Sequence, residues 1–189
     1  MPASPYPITG PRELILQRIQ DVLKTINPTT TFTFPNGWAH APITNDLGGR
    51  VYSKFRGEVA VDQVERPYVE IITDAKTPDK ITSQHDDWYT ATMSAQIWCY
   101  ASGDDSGDGL DSIVRPQLNS LCSDLWIGLE AARFWGPSPN PPFDTLQVIF
   151  GPRLSLNVTS RWTRPAVQGP GGFAFLSFEV SYPFERLNP

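Results

Sequence analysis

"WYTATMSAQIWCYA", residues 88–101, is the stretch on which the fold turns. Tyr89, Ala91, Met93, Ala95, Ile97, Cys99 and Ala101 alternate with Trp88, Thr90, Thr92, Ser94, Gln96, Trp98 and Tyr100. A period of two sustained this far predicts one long β-strand with a greasy face. The second face is polar in its middle and aromatic at its ends, with Trp88 at one end and Trp98 and Tyr100 at the other. The greasy face calls for a helical layer. The aromatic ends call for a different cover, either the chain's own residues 29–50 or a neighbouring chain, and the expectation leans to the neighbour.

Upstream of this strand, "VYSKFRGEV" (51–59) and "PYVEIITDA" (67–75) carry strand signals. Earlier still, Ile15, Ile19, Val22, Leu23 and Ile26 form an apolar stripe that predicts a helix from Pro11 to about Ile26. Thr9 or Gly10 would cap it, Pro11 suits its first position and Pro28 stops it. Residues 1–10 read as an extended arm and 29–50 as a turn-rich excursion, in which "TTTFTF" could pair as an edge strand. Downstream, "SGDDSGDG" (102–109) turns the chain into a second helix over about 110–133, with Val114, Leu118, Leu121, Cys122, Leu125 and Leu129 as its stripe. Pro116 predicts either a start near Val114 or a kink.

"TLQVIF", "RLSLNVTSRW" and "FAFLSFEVSYPF" read as closing strands. The last places Ala174, Leu176, Phe178, Val180, Tyr182 and Phe184 on one face. This order contains no alternating βα units. It predicts an α+β domain spanning 1–189: a mainly antiparallel sheet, two helices packed on one face, and proline-rich loops.

The composition is that of a globular chain: 189 residues, 40% hydrophobic and 19% charged. Its net charge of -5 argues against gripping nucleic acid through the phosphates, though not against standing beside DNA. No apolar run is long enough to span a bilayer, and the amino end lacks the pattern of a secretory signal. Cys99 and Cys122 fall on apolar faces and read as reduced core thiols. The 19 prolines cluster at the amino end, in 134–144 and in 164–172. Loops stiffened this way lose less entropy on docking and suit binding surfaces.

Motifs for chemistry are sparse. His40 has no second ligand nearby, and His85 stands beside Asp86 and Asp87 in an acidic corner. A metal site needs three or four placed ligands. Asp104, Ser106, Asp108 and Gly109 match the first half of a calcium loop, but Arg115 occupies the position of the bidentate acid, so the motif reads as a polar turn with an acidic helix start. There is no nucleophile elbow and no phosphate-binding loop. The expectation is a non-enzymatic protein with no catalytic residue, cofactor or metal.

Aromatic residues are abundant: 6 Trp, 6 Tyr and 10 Phe. With the arm and stiff loops they predict an assembly protein whose interface uses Trp88, Trp98, Tyr100 and Trp162, with Arg161 and Arg164 at the same seam.

The order of "RELILQRIQDVL", "RPYVEIITD", "WYTATMSAQIWCYA", "DSIVRPQLNSLCSDLW" and "FAFLSFEVSYPFE" resembles that of the tail terminator proteins of tailed bacteriophages. The resemblance covers most of the chain and lies in pattern and element order. The proline-rich loops and the excursion at 29–50 depart from it. It implies a structural virion protein, made in the host cytoplasm, that forms a homohexameric ring at the head-proximal end of the tail tube. Such a ring stops tube polymerisation, meets the tube protein on one side and a neck or connector protein on the other, and lets genomic DNA through without binding it. An acidic lumen would let a polyanion slide. The alternative is a binding module of a baseplate or of another neck ring, the head–tail connector, and a hydrolase with an unrecognised acid pair is a third option.

Overall fold

The computed structural model describes residues 10–32, 42–52, 67–73, 80–85, 88–101, 110–134, 154–165 and 172–185. The elements run α1 (Pro11–Lys24), β1 (Val51–Tyr52), β2 (Tyr68–Thr73), β3 (Lys80–His85), β4 (Trp88–Ala101), α2 (Leu110–Phe134), β5 (Ser155–Pro165) and β6 (Gly172–Glu185). The strand expected at "TLQVIF", the amino arm, the calcium-like turn and the proline-rich loops lie outside the described residues.

β4 is the spine of a six-stranded sheet of order β1-β2-β4-β6-β5. β6 pairs antiparallel along its whole length, from Trp88↔Glu185 to Ala101↔Gly172. Its other edge is shared: β3 pairs with its first half and β2 with its second. Only the short β1–β2 pairing is parallel among the described strands. The fold is therefore α+β with a mainly antiparallel sheet, as the strand pattern predicts.

The greasy face behaves as its periodicity requires. Ala91, Met93, Ala95, Ile97 and Cys99 are buried, in register with Tyr182, Val180, Phe178, Leu176 and Ala174 of β6. Both helices cover this face. α1 contributes Ile15, Ile19, Val22 and Leu23, and α2 contributes Leu118, Leu121, Cys122, Leu125 and Leu129, all buried in one cluster with the strands. Each fully buried Leu or Ile stabilises the fold by roughly 1.5–3 kcal/mol before entropy is subtracted.

Local chemistry sets the ends of α1. Gly10 is the N-cap, Pro11 opens the first turn, Glu13 lies near the positive end of the helix dipole and Lys24 near the negative end. The helix stops earlier than its apolar stripe implies, because the Thr25 hydroxyl donates to the Val22 carbonyl at 2.7 Å and the Ile26 amide turns back to Leu23. Ile26 nevertheless stays in the core. α2 starts at Leu110 and runs through Pro116, whose ring is exposed, so of the two expected outcomes a start near Val114 is not observed.

The described parts of the 29–50 excursion pack on the helix side. Phe32, Ile43 and Leu47 join the main core. The anchor is Asp124 on α2, 2% exposed, whose Oδ2 accepts from the Thr44 amide (3.1 Å), the Thr44 hydroxyl (3.1 Å), the Asn45 amide (2.8 Å) and Asn45 Nδ2 (2.7 Å). Gly48 and Gly49 then take φ of 51° and 75°, a left-handed pair that glycine adopts at little cost, and deliver Arg50 to β1. Arg50 Nε reaches the Pro67 carbonyl at 2.9 Å and so joins the starts of β1 and β2.

Candidate functional site: the second face of the sheet

The face turned away from the helices can be read row by row from the register. Thr92 pairs with Ser181, Ser94 with Glu179 and Gln96 with Ser177. The hydroxyls of Thr92 and Ser181 are 2.7 Å apart. Ser94 and Glu179 are exposed, and this half of the face is a hydroxyl and amide surface. Beyond Gln96 its chemistry changes. Trp98 faces Glu70 of β2 and Phe175 of β6, and Tyr100 faces Tyr68 and Phe173.

These residues form a second, smaller core. Tyr68 and Tyr100 stack with ring centroids 4.4 Å apart and planes 13° from parallel, and Tyr52 meets Tyr68 edge-on at 6.2 Å. Tyr68 is 0% and Tyr100 2% exposed. Glu70 is buried among them, and the Tyr100 hydroxyl donates to its Oε2 at 3.3 Å. A buried carboxylate is costly unless it accepts such bonds, so the phenol and the acid are best regarded as one unit.

A half-buried aromatic layer lies beside this floor. Trp98 stacks on Phe173 at 5.2 Å and 15° and on Phe175 at 5.3 Å and 23°. Its indole N–H donates to Gln96 Oε1 at 2.9 Å, which holds the ring flat against its neighbours. Trp98, Phe173 and Phe175 all keep part of their surface in solvent.

The structure does not bring the predicted interface residues together in one patch. Trp98 lies in the half-exposed layer. Tyr100 does not serve as a surface anchor, because its ring is buried within its own chain. Arg161 does not share the seam with Trp162 and Arg164. A bulge between Val158 and Ser160 flips the parity of β5, so Arg161 pairs with Leu176 of the helix-side face, near enough to Cys122 to act on it electrostatically. By the same register Trp162 pairs with Phe175 and Arg164 with Phe173, in the aromatic rows. Trp88 pairs with Glu185 and His85 at the far end of β4, ten residues and roughly 33 Å of strand from Trp98, so the two tryptophans do not share a patch.

Several residues of this site were missed from the sequence. Glu70 looked like an ordinary polar alternate of a strand, and nothing local marks it as buried. Phe173 and Phe175 were legible, since the alternation that puts Ala174 and Leu176 in the core sends them to the other face. Trp126 on α2 is another unforeseen feature, 45% exposed on the helical layer. Among the described residues no group of three or more His, Cys, Asp or Glu is placed to hold a metal ion. Among the described residues, too, no helix is long and apolar enough to cross a membrane.

The fold and this face together define an α+β domain with a principal core under its helices and an aromatic minor core on the sheet face turned away from them. No family model matches the chain, and no curated protein matches it.

Proposed function

We propose that this chain is a structural subunit of a homo-oligomeric ring, a hexamer, at the head-proximal end of a phage tail tube. There it stops tube polymerisation and joins tail to neck. The reading rests on the order of elements around β4. The observation that carries it is the Trp98–Phe173–Phe175 layer: three stacked aromatic rings, each partly exposed to solvent, beside a floor of fully buried tyrosines. Aromatic residues held rigid on a packed base lose little entropy on docking, and interface anchors are drawn from this class. The neighbouring subunit would bury that layer. The net charge of -5 suits a ring through which DNA moves without being held.

The test is the oligomeric state of the purified chain, alone and mixed with tail tubes, by light scattering and electron microscopy. A closed cyclic assembly seated on tube ends is the expected result. A chain that stays monomeric in both conditions, and leaves tube length unregulated, overturns the proposal.

A further inference from the structure

A groove runs between α1 and the end of β2, on the helix side of the sheet and so away from the Trp98 layer. Glu13, Leu16, Gln17 and Gln20 form its α1 wall and Ile71 and Thr73 its β2 wall, around a cavity of about 130 Å³. Its floor is apolar, since Ile71 belongs to the main core and Leu16 packs against that core. Its rim is polar. Gln17 Nε2 donates to Glu13 Oε1 at 3.4 Å, and Gln20 Nε2 donates to the Val51 carbonyl at 2.9 Å. A carboxamide nitrogen carries two hydrogens, so each glutamine keeps a second N–H for another acceptor. The β2 wall is a sheet edge, because β1 pairs with β2 only as far as Glu70. The Val69 amide donates to the Arg50 carbonyl, and strand alternation turns the N–H and C=O of Ile71 and Thr73 to that same edge. Among the described strands none pairs with Thr73 there.

The sequence just ahead of α1 fits this groove in length, shape and hydrogen bonding. Residues 1–9 lie outside the described residues and lead to Gly10, the N-cap of the helix that forms one wall. Their "PYPI" (5–8) is constrained, since Pro5 and Pro7 hold Ser4 and Tyr6 extended. Tyr6 and Ile8, two residues apart, then share one face of an extended segment. Only Tyr6 and Ile8 of these residues have an amide N–H, while every one has a carbonyl. An acceptor-rich segment of this kind suits the remaining N–H groups of Gln17, Gln20 and Thr73. From Glu13 to Gln20 the helix rises about 10 Å, the span of about three extended residues. Residues 1–9 reach about 30 Å when extended, enough to turn back at Gly10, which has open space around it, and still fill the groove. A tether this short gives a local concentration on the order of millimolar, which favours the chain's own segment over a free one. We propose that residues 5–8 lie in the α1–β2 groove of their own chain, Tyr6 and Ile8 turned toward Leu16 and Ile71 and the carbonyls toward the glutamines. This strap covers an edge that would otherwise be a template for a foreign strand.

Two measurements on the full chain test this. In the first, the photoreactive p-benzoylphenylalanine replaces Tyr6, and isotope-labelled and unlabelled copies are mixed in denaturant, refolded together and irradiated. Peptide mapping should place the cross-link on residues 13–20 of α1 or 71–73 of β2, always between peptides of like label. In the second, hydrogen exchange is compared between the wild-type chain and the double variant Tyr6→Ser, Ile8→Ser. The Thr73 amide should exchange about tenfold or more faster in the variant, because loss of the strap opens that edge to water. A cross-link elsewhere in the chain, a link between differently labelled copies, or Thr73 exchange that the double variant leaves unmoved overturns the proposal. A link between unlike copies would assign the groove to a neighbour's segment instead. Both changes fall ahead of α1, and the result is independent of whether the chain forms a ring.

Discussion

Asp124 shows how much one side chain can organise. One carboxylate oxygen receives two backbone amides, a hydroxyl and an amide N–H from Thr44 and Asn45. Asp124→Ala leaves those donors without their acceptor next to a sealed core, so a loss of about 2–4 kcal/mol is expected, read as a lower urea midpoint with an unchanged slope. Asp124→Asn keeps one acceptor oxygen and should cost less. Tyr100→Phe is the matching test on the other face. It removes the donor to Glu70 and keeps the ring stack, so about 1–3 kcal/mol should be lost, measured in the same way. Neither role was legible in the sequence. Asp124 and Glu70 each sit in a run with ordinary polar spacing, and the partners that justify their burial come from segments distant in the chain.

Among the elements, the two helices and the long strands were legible because each repeats one period for many residues. β3 was not. Its six residues hold one strongly apolar side chain, Ile81, which is 60% exposed, and the link to β4 is Asp86–Asp87, not the Asn-Gly or Asp-Gly that signals a hairpin. The flip of Arg161 was hidden for a related reason: a bulge has no reliable sequence mark, and one extra residue reverses every later side chain. Helix contact gives the sharpest prediction at this scale. Gly128 lies where α2 meets the end of α1, and an added Cβ would stand 2.7 Å from Leu23 Cδ2 and 3.0 Å from Ile26 Cδ1. Alanine is a better helix former than glycine by about 1 kcal/mol, so Gly128→Ala sets propensity against overlap. The overlap should prevail in Gly128→Val, with a loss of about 1–3 kcal/mol. In a double-mutant cycle, Leu23→Ala should cost less in the Gly128→Val background than alone, because it vacates the contested space.

At the scale of the whole molecule, the two faces of β4 divide its labour, and Trp98 lies on the boundary. Were it simply part of the minor core, truncation would empty space beside Phe173 and Phe175 and lower stability by about 3–5 kcal/mol, the range for a buried Trp. A half-exposed ring has less to lose within its own chain and more to lose to a partner that covers the rest, where an anchor costs about 2 kcal/mol or more. The two roles are separable only if stability and assembly are measured on one preparation. Trp98→Ala should lower the melting temperature modestly and weaken ring formation, seen as a shift to higher concentration in light scattering, while Trp98→Phe keeps the stack and restores much of the assembly. Ser94→Ala, on the exposed hydroxyl half of the same face, should change neither. A sharp fall in melting temperature, with assembly of the surviving folded protein intact, would assign Trp98 to the minor core alone and move the subunit contact elsewhere, with the exposed Trp126 on the helical layer the next place to test.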